Sequence, residues 1–394
     1  MIANNNIPAG YKDSAVGIIP QEWEVTTLGK LVSITSGESP SLYNLQSSGK
    51  YPYVKVEDMN NCEKYQVFSR EYSDDEKGAI PKGSIIFPKR GAAIINNKVR
   101  IADCALCMDS NMMAITPNEY VCGDYLYFKI TFEKLYKIAD TSTIPQINNK
   151  HIIPYKLAVP PMEEQRKVAE ILGVWDEAIE KQSRLIEKLE LRKRALMQRL
   201  LTGRIHLPGF TTPWQKRRMK DCFEHINGTS NGCEYLPMTI SARLGLISQN
   251  DKFDRVIAGD SLKKYTHIQK GDFAYNKGNS NLYEMGCIYR LKEQDAVVPF
   301  VYICFRPKQN VIGEFYQHFF INHGLDRQLK RIITSGARGD GLLNVDKTDF
   351  FELEIVYPPI AEQKAIAEVL SAADNEIDIH RKKLDALRLQ KRGL

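Results

Sequence analysis

PPMEEQRKVAEILGVWDEAI, residues Pro160–Ile179, and PPIAEQKAIAEVLSAADNEI, residues Pro358–Ile377, are one phrase written twice at a constant offset of 198 residues, with nine of twenty positions identical. In each copy the double proline closes a strand-like run (Tyr155 to Val159, Leu353 to Tyr357), and acidic and polar residues follow where a helix starts. From there the apolar spacing alternates four and three. The first series runs Val168, Leu172, Trp175, Ile179, Gln182, Ile186, Leu189, Lys193, Leu196, Leu200, and eight of its ten members are apolar. The second runs Ile366, Leu370, Ala373, Ile377, His380, Leu384, Leu387, Lys391, Leu394, so that even the polar interruptions recur: Gln182 answers His380 and Lys193 answers Lys391. The spacing predicts two helices of roughly 35 to 40 residues, each over about 50 Å long at ~1.5 Å per residue. Helices of that length outrun a single small domain, so the pattern predicts that they pack on each other as a two-helix coiled coil. The first continues to Thr202-Gly203, and Pro208, Gly209 and Pro213 mark the linker that follows.

Working outward, the segments before each double proline also correspond. Pro20 and Trp23 head the first, Pro213 and Trp214 the second, and each runs about 140 residues to its prolines. Inside, Lys82-Gly83 leads the apolar strand Ile85-Ile86-Phe87, as Lys270-Gly271 leads Phe273-Ala274-Tyr275. Both strands empty into a polar, glycine-containing loop with a lysine near its start, Lys89 or Lys277. The expected fold is therefore α+β: two similar mixed α/β domains (1–159 and 207–357), separated by the helical segments 160–206 and 358–394 and related by a pseudo-two-fold.

Composition narrows the function. The net charge of +6 divides along the chain as 0 for 1–159, +2 for 160–206, +3 for 207–357 and +1 for 358–394. This excludes a strongly acidic DNA mimic and falls short of a protein that grips DNA unaided, so any DNA contact rests on local patches or on partners. The eight cysteines are spread over 394 residues, as reduced thiols are. Cys104 and Cys107 form a C-x-x-C, but no second pair stands at zinc-finger spacing, and no metal site is expected. Absence of an apolar leader or an eighteen-residue apolar run sets the expectation of a cytoplasmic protein outside the membrane.

No catalytic residue is expected either. The prolines read Val159-Pro-Pro-Met162 and Tyr357-Pro-Pro-Ile360, lacking the polar and aromatic flanks of an amino-methyltransferase turn. There is no phosphate loop, no G-x-G-x-x-G, and the fragment Glu362-Gln363-Lys364 belongs to the repeat rather than to a nuclease motif. What remains are loops able to meet DNA. Lys89, Arg90, Lys98 and Arg100 combine phosphate-binding cations with the arginine suited to guanine O6 and N7. Asn276, Lys277 and Asn279 offer amides that pair with adenine beside a phosphate contact, and Arg338 lies in a second basic loop, Ser335 to Gly339.

The phrases IPQEWEVTTLGKL, PPMEEQRKVAEIL and RALMQRLLTGRI resemble the specificity subunits of type I restriction-modification systems, and KGDFAYNKGNS with SGARGDGLLNVDKTDFFELEI resembles one of that family's target-recognition domains. The resemblance implies that each domain reads one half of a bipartite asymmetric site in double-stranded DNA, and that the two helices pair as an antiparallel coiled coil that serves as spacer. It implies two methyltransferase subunits and a motor-nuclease subunit as partners, which would carry S-adenosylmethionine, ATP and Mg; no cofactor falls to this chain. Two other readings stay open on sequence: a specificity subunit serving a fused methyltransferase-nuclease, and a coiled-coil adaptor that binds only proteins.

Overall fold

The computed structural model describes residues 7–229, 235–250, 259–278, 283–333 and 343–393. The chain forms two compact units, Met1–Ile179 with Leu387–Leu394, and Glu180–Ala386. The first long helix, Met162–Leu200, opens in the first unit and closes in the second; the second, Ile360–Arg392, does the reverse.

In the first unit a five-stranded sheet has the order Val32–Ser36, Met112–Pro117, Ile85–Pro88, Arg100–Ala102, Tyr65–Gln66, antiparallel except at the last junction. In the second unit a four-stranded antiparallel sheet has the order Phe223–His225, Ile303–Pro307, Phe273–Asn276, Cys287–Arg290. Strand for strand, the first four positions share one order. Both lysine-glycine turns work the same way: Gly83 (φ +88°) and Gly271 (φ +99°) take a conformation that side chains disfavour, and each turns the chain into a buried strand. An antiparallel two-stranded ribbon also recurs, Glu24–Thr27 with Lys156–Val159 and Gln215–Arg218 with Glu354–Tyr357.

The repeated phrase owes its residues to these ribbons. Trp23 Nε1 donates to Glu164 Oε2 at 3.1 Å, and Trp214 Nε1 donates to Glu362 Oε2 at 2.8 Å. The next residue is a clamp. Gln165 Nε2 donates to Pro160 O (2.9 Å) while its Oε1 accepts from Cys122 N (2.8 Å); Gln363 Nε2 donates to Pro358 O (2.8 Å) while its Oε1 accepts from Ile312 N (3.0 Å). One buried amide thus ties the start of each long helix to the start of a shorter one, Gly123–Glu133 or Gly313–Ile321. Glu362 is fully buried and also meets His206 Nδ1 at 2.8 Å. Glu362→Ala orphans the Trp214 donor, so it is expected to destabilise the second unit by about 1–3 kcal/mol, read as a lower urea midpoint.

Within the second unit the helices run antiparallel, since the contacts go from His380 to Asp374 on one as they go from Gln182 to Lys193 on the other. Gln182 Nε2 meets His380 Nδ1 at 2.8 Å and His380 O at 2.9 Å, Arg381 reaches Glu190 at 2.5 Å, Arg192 pairs with Glu376, and Lys193 pairs with Asp374. In the first unit Lys391 pairs with Asp176. Adding or subtracting the repeat offset turns Lys193–Asp374 into Lys391–Asp176 and Gln182–His380 into itself. Of the polar interruptions of the apolar seam, Gln182 and His380 are therefore mutual partners and Lys193 and Lys391 pair with aspartates, with the Gln182 amide buried and hydrogen-bonded.

Candidate nucleic-acid interface

Lys89 and Arg90 leave the end of strand Ile85–Pro88. The loop is built by main-chain pairing: Lys89 N donates to Asn111 O (2.8 Å), Ile147 N donates to Lys89 O (2.9 Å), and Gly91 N donates to Pro145 O (2.9 Å), while Arg90 bridges Gln146. The Arg90 side chain is exposed and that of Lys89 half-buried. Burial, followed by the neighbouring Arg90 charge, lowers the Lys89 ammonium pKa below its ordinary value.

The second domain repeats the arrangement with different residues. Asn276 ends strand Phe273–Asn276, its Oδ1 accepting from Gly278 N at 3.0 Å, and Lys277 O accepts from Leu343 N at 2.9 Å. In both domains the lysine carbonyl thus holds the segment that precedes a short helix, Asn149–Ile152 or Lys347–Glu352. Asn279 and Arg338 lie outside the described residues.

Lys98 and Arg100 are placed differently from Lys89 and Arg90. Lys98 Nζ donates to Asn60 Oδ1 at 2.6 Å. Arg100 spends its donors on main-chain carbonyls, Nε on Cys62 (2.8 Å), Nη1 on Val99 (2.8 Å) and Nη2 on Met59 (3.0 Å). With each of its three guanidinium nitrogens donating to a carbonyl, Arg100 braces the 59–62 turn. Charge and proximity group this arginine with Arg90 in the sequence; its main-chain partners are a tertiary fact.

A segment the sequence reading passed over stands beside Arg90. Asp140 and Gln146 exchange main-chain hydrogen bonds at 2.9 and 3.0 Å, Asp140 Oδ1 accepts from Ser142 N and Oγ, and Ile144 at the tip is 70% exposed. Thr141 to Gln146 leads directly into Ile147, whose amide donates to the Lys89 carbonyl.

The described residues hold no cluster of three or more metal-ligating side chains, and no described helix is long and apolar enough to cross a membrane. Burial pushes the Cys107 and Cys222 thiols up to about 11, which keeps them protonated and inert. Burial also lowers His318, to about 4, despite the nearby Asp374. Between pH 6.5 and 4 an unfolded chain therefore binds a proton here that the folded chain refuses, so stability falls as pH falls through that window. In urea titrations His318→Gln is expected to flatten that part of the pH dependence.

Together the fold and its loops define a class: an α/β protein that repeats one loop frame in two domains, each followed along the chain by a long helix. The chain belongs to the family of type I restriction modification DNA specificity domains, whose model matches residues 20–191 and 254–389. It is 25% identical over 427 residues to the putative type I restriction enzyme MjaX specificity subunit of Methanocaldococcus jannaschii, covering 98% of this chain and 94% of the relative. The MjaVIII specificity subunit of the same organism is 20% identical over 415 residues, covering 95% and 92%. Among solved structures, the S subunit of a type-I restriction-modification system from M. genitalium superposes with a TM-score of 0.58 at 15% identity, covering 100% of this chain and 96% of that one. A chain from a structure describing assembly and conformational transition of the type I R-M system gives 0.56 at 15% identity, covering 95% and 96%.

Proposed function

We propose that this chain is the sequence-reading, non-catalytic subunit of a type I restriction-modification enzyme, and that each domain recognises one half of a bipartite asymmetric site in double-stranded DNA. The observation that carries the reading is the shared frame with unshared loops. One sheet order and one lysine-anchored loop occur in both domains, while Pro88-Lys89-Arg90 in one stands where Asn276-Lys277-Gly278 stands in the other. A common frame with different loop chemistry is what two different half-sites demand.

In this reading two methyltransferase subunits supply S-adenosylmethionine and the adenine chemistry, and a motor-nuclease subunit supplies ATP- and Mg-dependent translocation and cleavage. This chain supplies position and sequence preference. Arg90 is the exposed fork for a base edge, and Lys277 contacts phosphate. Arg90→Ala is expected to weaken cognate binding by about 1–3 kcal/mol and relax one base position. Lys277→Ala is expected to weaken all sequences alike and reduce the salt slope by about one ion. Fluorescence anisotropy with the methyltransferase-bound chain measures both; unchanged affinity and unchanged salt slope would place recognition on other loops. Methyl transfer by the chain alone, free of partner, would overturn the non-catalytic assignment.

A further inference from the structure

A second loop is fastened beside the exposed Arg90. Arg90 and Gln146 face each other as antiparallel partners, Gly91 N donates to Pro145 O at 2.9 Å, and Gln146 pairs again with Asp140 on its other side. Opposed residues of an antiparallel pair project to the same side of the ladder. The Arg90 and Gln146 side chains therefore leave together.

Between Asp140 and Gln146 the chain makes one tight excursion. Asp140 Oδ1 accepts from Ser142 N at 3.0 Å and from Ser142 Oγ at 2.7 Å, which turns the carboxylate into the loop. Those donors, followed by the nearby charges of His151 and Lys150, hold it below the ordinary carboxylate range. Lys89, Arg90, Lys150 and His151 thus border the loop. Its tip is apolar: Ile144 is 70% exposed between Thr143 and Pro145. Single exposed apolar residues are ordinary on a protein surface. What sets this one apart is its place, on a loop pinned at both feet, bordered by cations and paired to an exposed arginine.

We propose that Ile144 is a specificity-determining residue that packs on the C5-methyl group of one thymine in the major groove, close to the guanine that Arg90 reads. The inference rests on the proposed base-reading role of Arg90. Guanine O6 and N7 both face the major groove, and the thymine methyl is the apolar group that this groove displays. Antiparallel Cα partners lie ~5 Å apart, and two residues of chain reach at most about 7 Å. Ile144 therefore stands within about 12 Å of Arg90, under about four base steps at ~3.4 Å each. Lys89 and Lys150 supply the phosphate contacts that hold such a loop in register.

The probes are duplexes carrying the motif found by adenine-methylation sequencing, with each thymine replaced singly by deoxyuridine, which pairs as thymine does and lacks only the methyl. They are titrated by anisotropy with the methyltransferase-bound chain and with the same assembly carrying Ile144→Ala. For the native chain, one replacement within about four base pairs of the position relaxed by Arg90→Ala is expected to weaken binding about fourfold, the worth of one buried methyl group. Ile144→Ala is expected to weaken binding to the all-thymine duplex by a similar factor and to be indifferent to that deoxyuridine. A loss of loop structure alone would lower affinity without erasing the response to one methyl. Ile144 is exposed, so the variant keeps its fold, which circular dichroism verifies, and the scan of the native chain needs no variant. A native chain insensitive to every thymine methyl overturns the inference. So does a sensitive thymine to which Ile144→Ala responds equally, and in both cases the Arg90 and Lys277 predictions stand. An assembly that shows no preference for its motif overturns the inference together with the reading of the chain on which it rests.

Discussion

Replacing Phe223 by alanine is expected to cost the second unit about 3–5 kcal/mol, a large share of the roughly 5–15 kcal/mol that holds a typical domain. Phe223 is 1% exposed and sits where strand and helix layers meet, edge to face with Phe273, Phe305 and Tyr316 at 5.8, 5.2 and 5.2 Å. Truncation removes the transfer energy of the ring and leaves a hole that three more rings line. These neighbours are themselves pinned, Phe273 and Phe305 by stacking at 5.3 Å on adjacent strands, so relaxation is limited. Urea unfolding should show the second unit melting first, with the slope unchanged. A midpoint shift equivalent to less than about 1 kcal/mol would mean that this core is not what holds the strand bearing Asn276 and Lys277.

The second large effect concerns spacing. A single inserted heptad would leave one of the pairs Asp176–Lys391 and Asp374–Lys193 seven residues out of step, because each ties one helix to the other. It would also bury the Gln182 amide opposite Leu387 in place of His380, at a cost of about 1–3 kcal/mol. The clean variant duplicates Asp176–Gln182 in the first helix and Asp374–His380 in the second together, which preserves both ion pairs and makes the Gln–His pair twice. Seven residues add about 10 Å, close to three base pairs of duplex at 34–36 Å per turn. Adenine-methylation sequencing is expected to find both half-sites unchanged and the unread spacer longer, with activity reduced because the DNA must twist to re-phase. An active enzyme with unchanged spacing would show that the helices are not the ruler.

The helices were legible because a seven-residue period and a repeated phrase are local properties of the chain. The structure ends the first at Leu200 and the second at Arg392. It also adds what periodicity cannot carry, namely that Gln182 and His380 find each other and that Lys193 and Lys391 find aspartates. The meaning of P-P-x-x-E-Q was only half legible. The prolines read as a helix start, but the Glu and Gln serve partners far along the chain, the indoles of Trp23 and Trp214 and the amides of Cys122 and Ile312. What the repeat made legible is the matched placement of two loops, at Lys89 and Lys277, whose carbonyls accept from Ile147 N and Leu343 N. Charge alone groups Arg100 with Lys89 and Arg90, and it cannot carry the tertiary fact that all three of its guanidinium nitrogens donate to the carbonyls of Cys62, Val99 and Met59. The Thr141 to Gln146 loop was missed because it lacks the basic residues that drew the reading elsewhere.

The central claim is that each domain reads its own half of a split site. It is tested most directly by replacing residues 207–357 with the matching domain of a different specificity subunit and sequencing adenine methylation in cells that carry the methyltransferase partner. The account predicts one bipartite motif with the native chain and none without it. In the exchanged chain one half of the motif changes, and the other half and the spacer stay as they were. A motif that is contiguous, that persists without the chain, or that changes in both halves on exchanging one domain would contradict it.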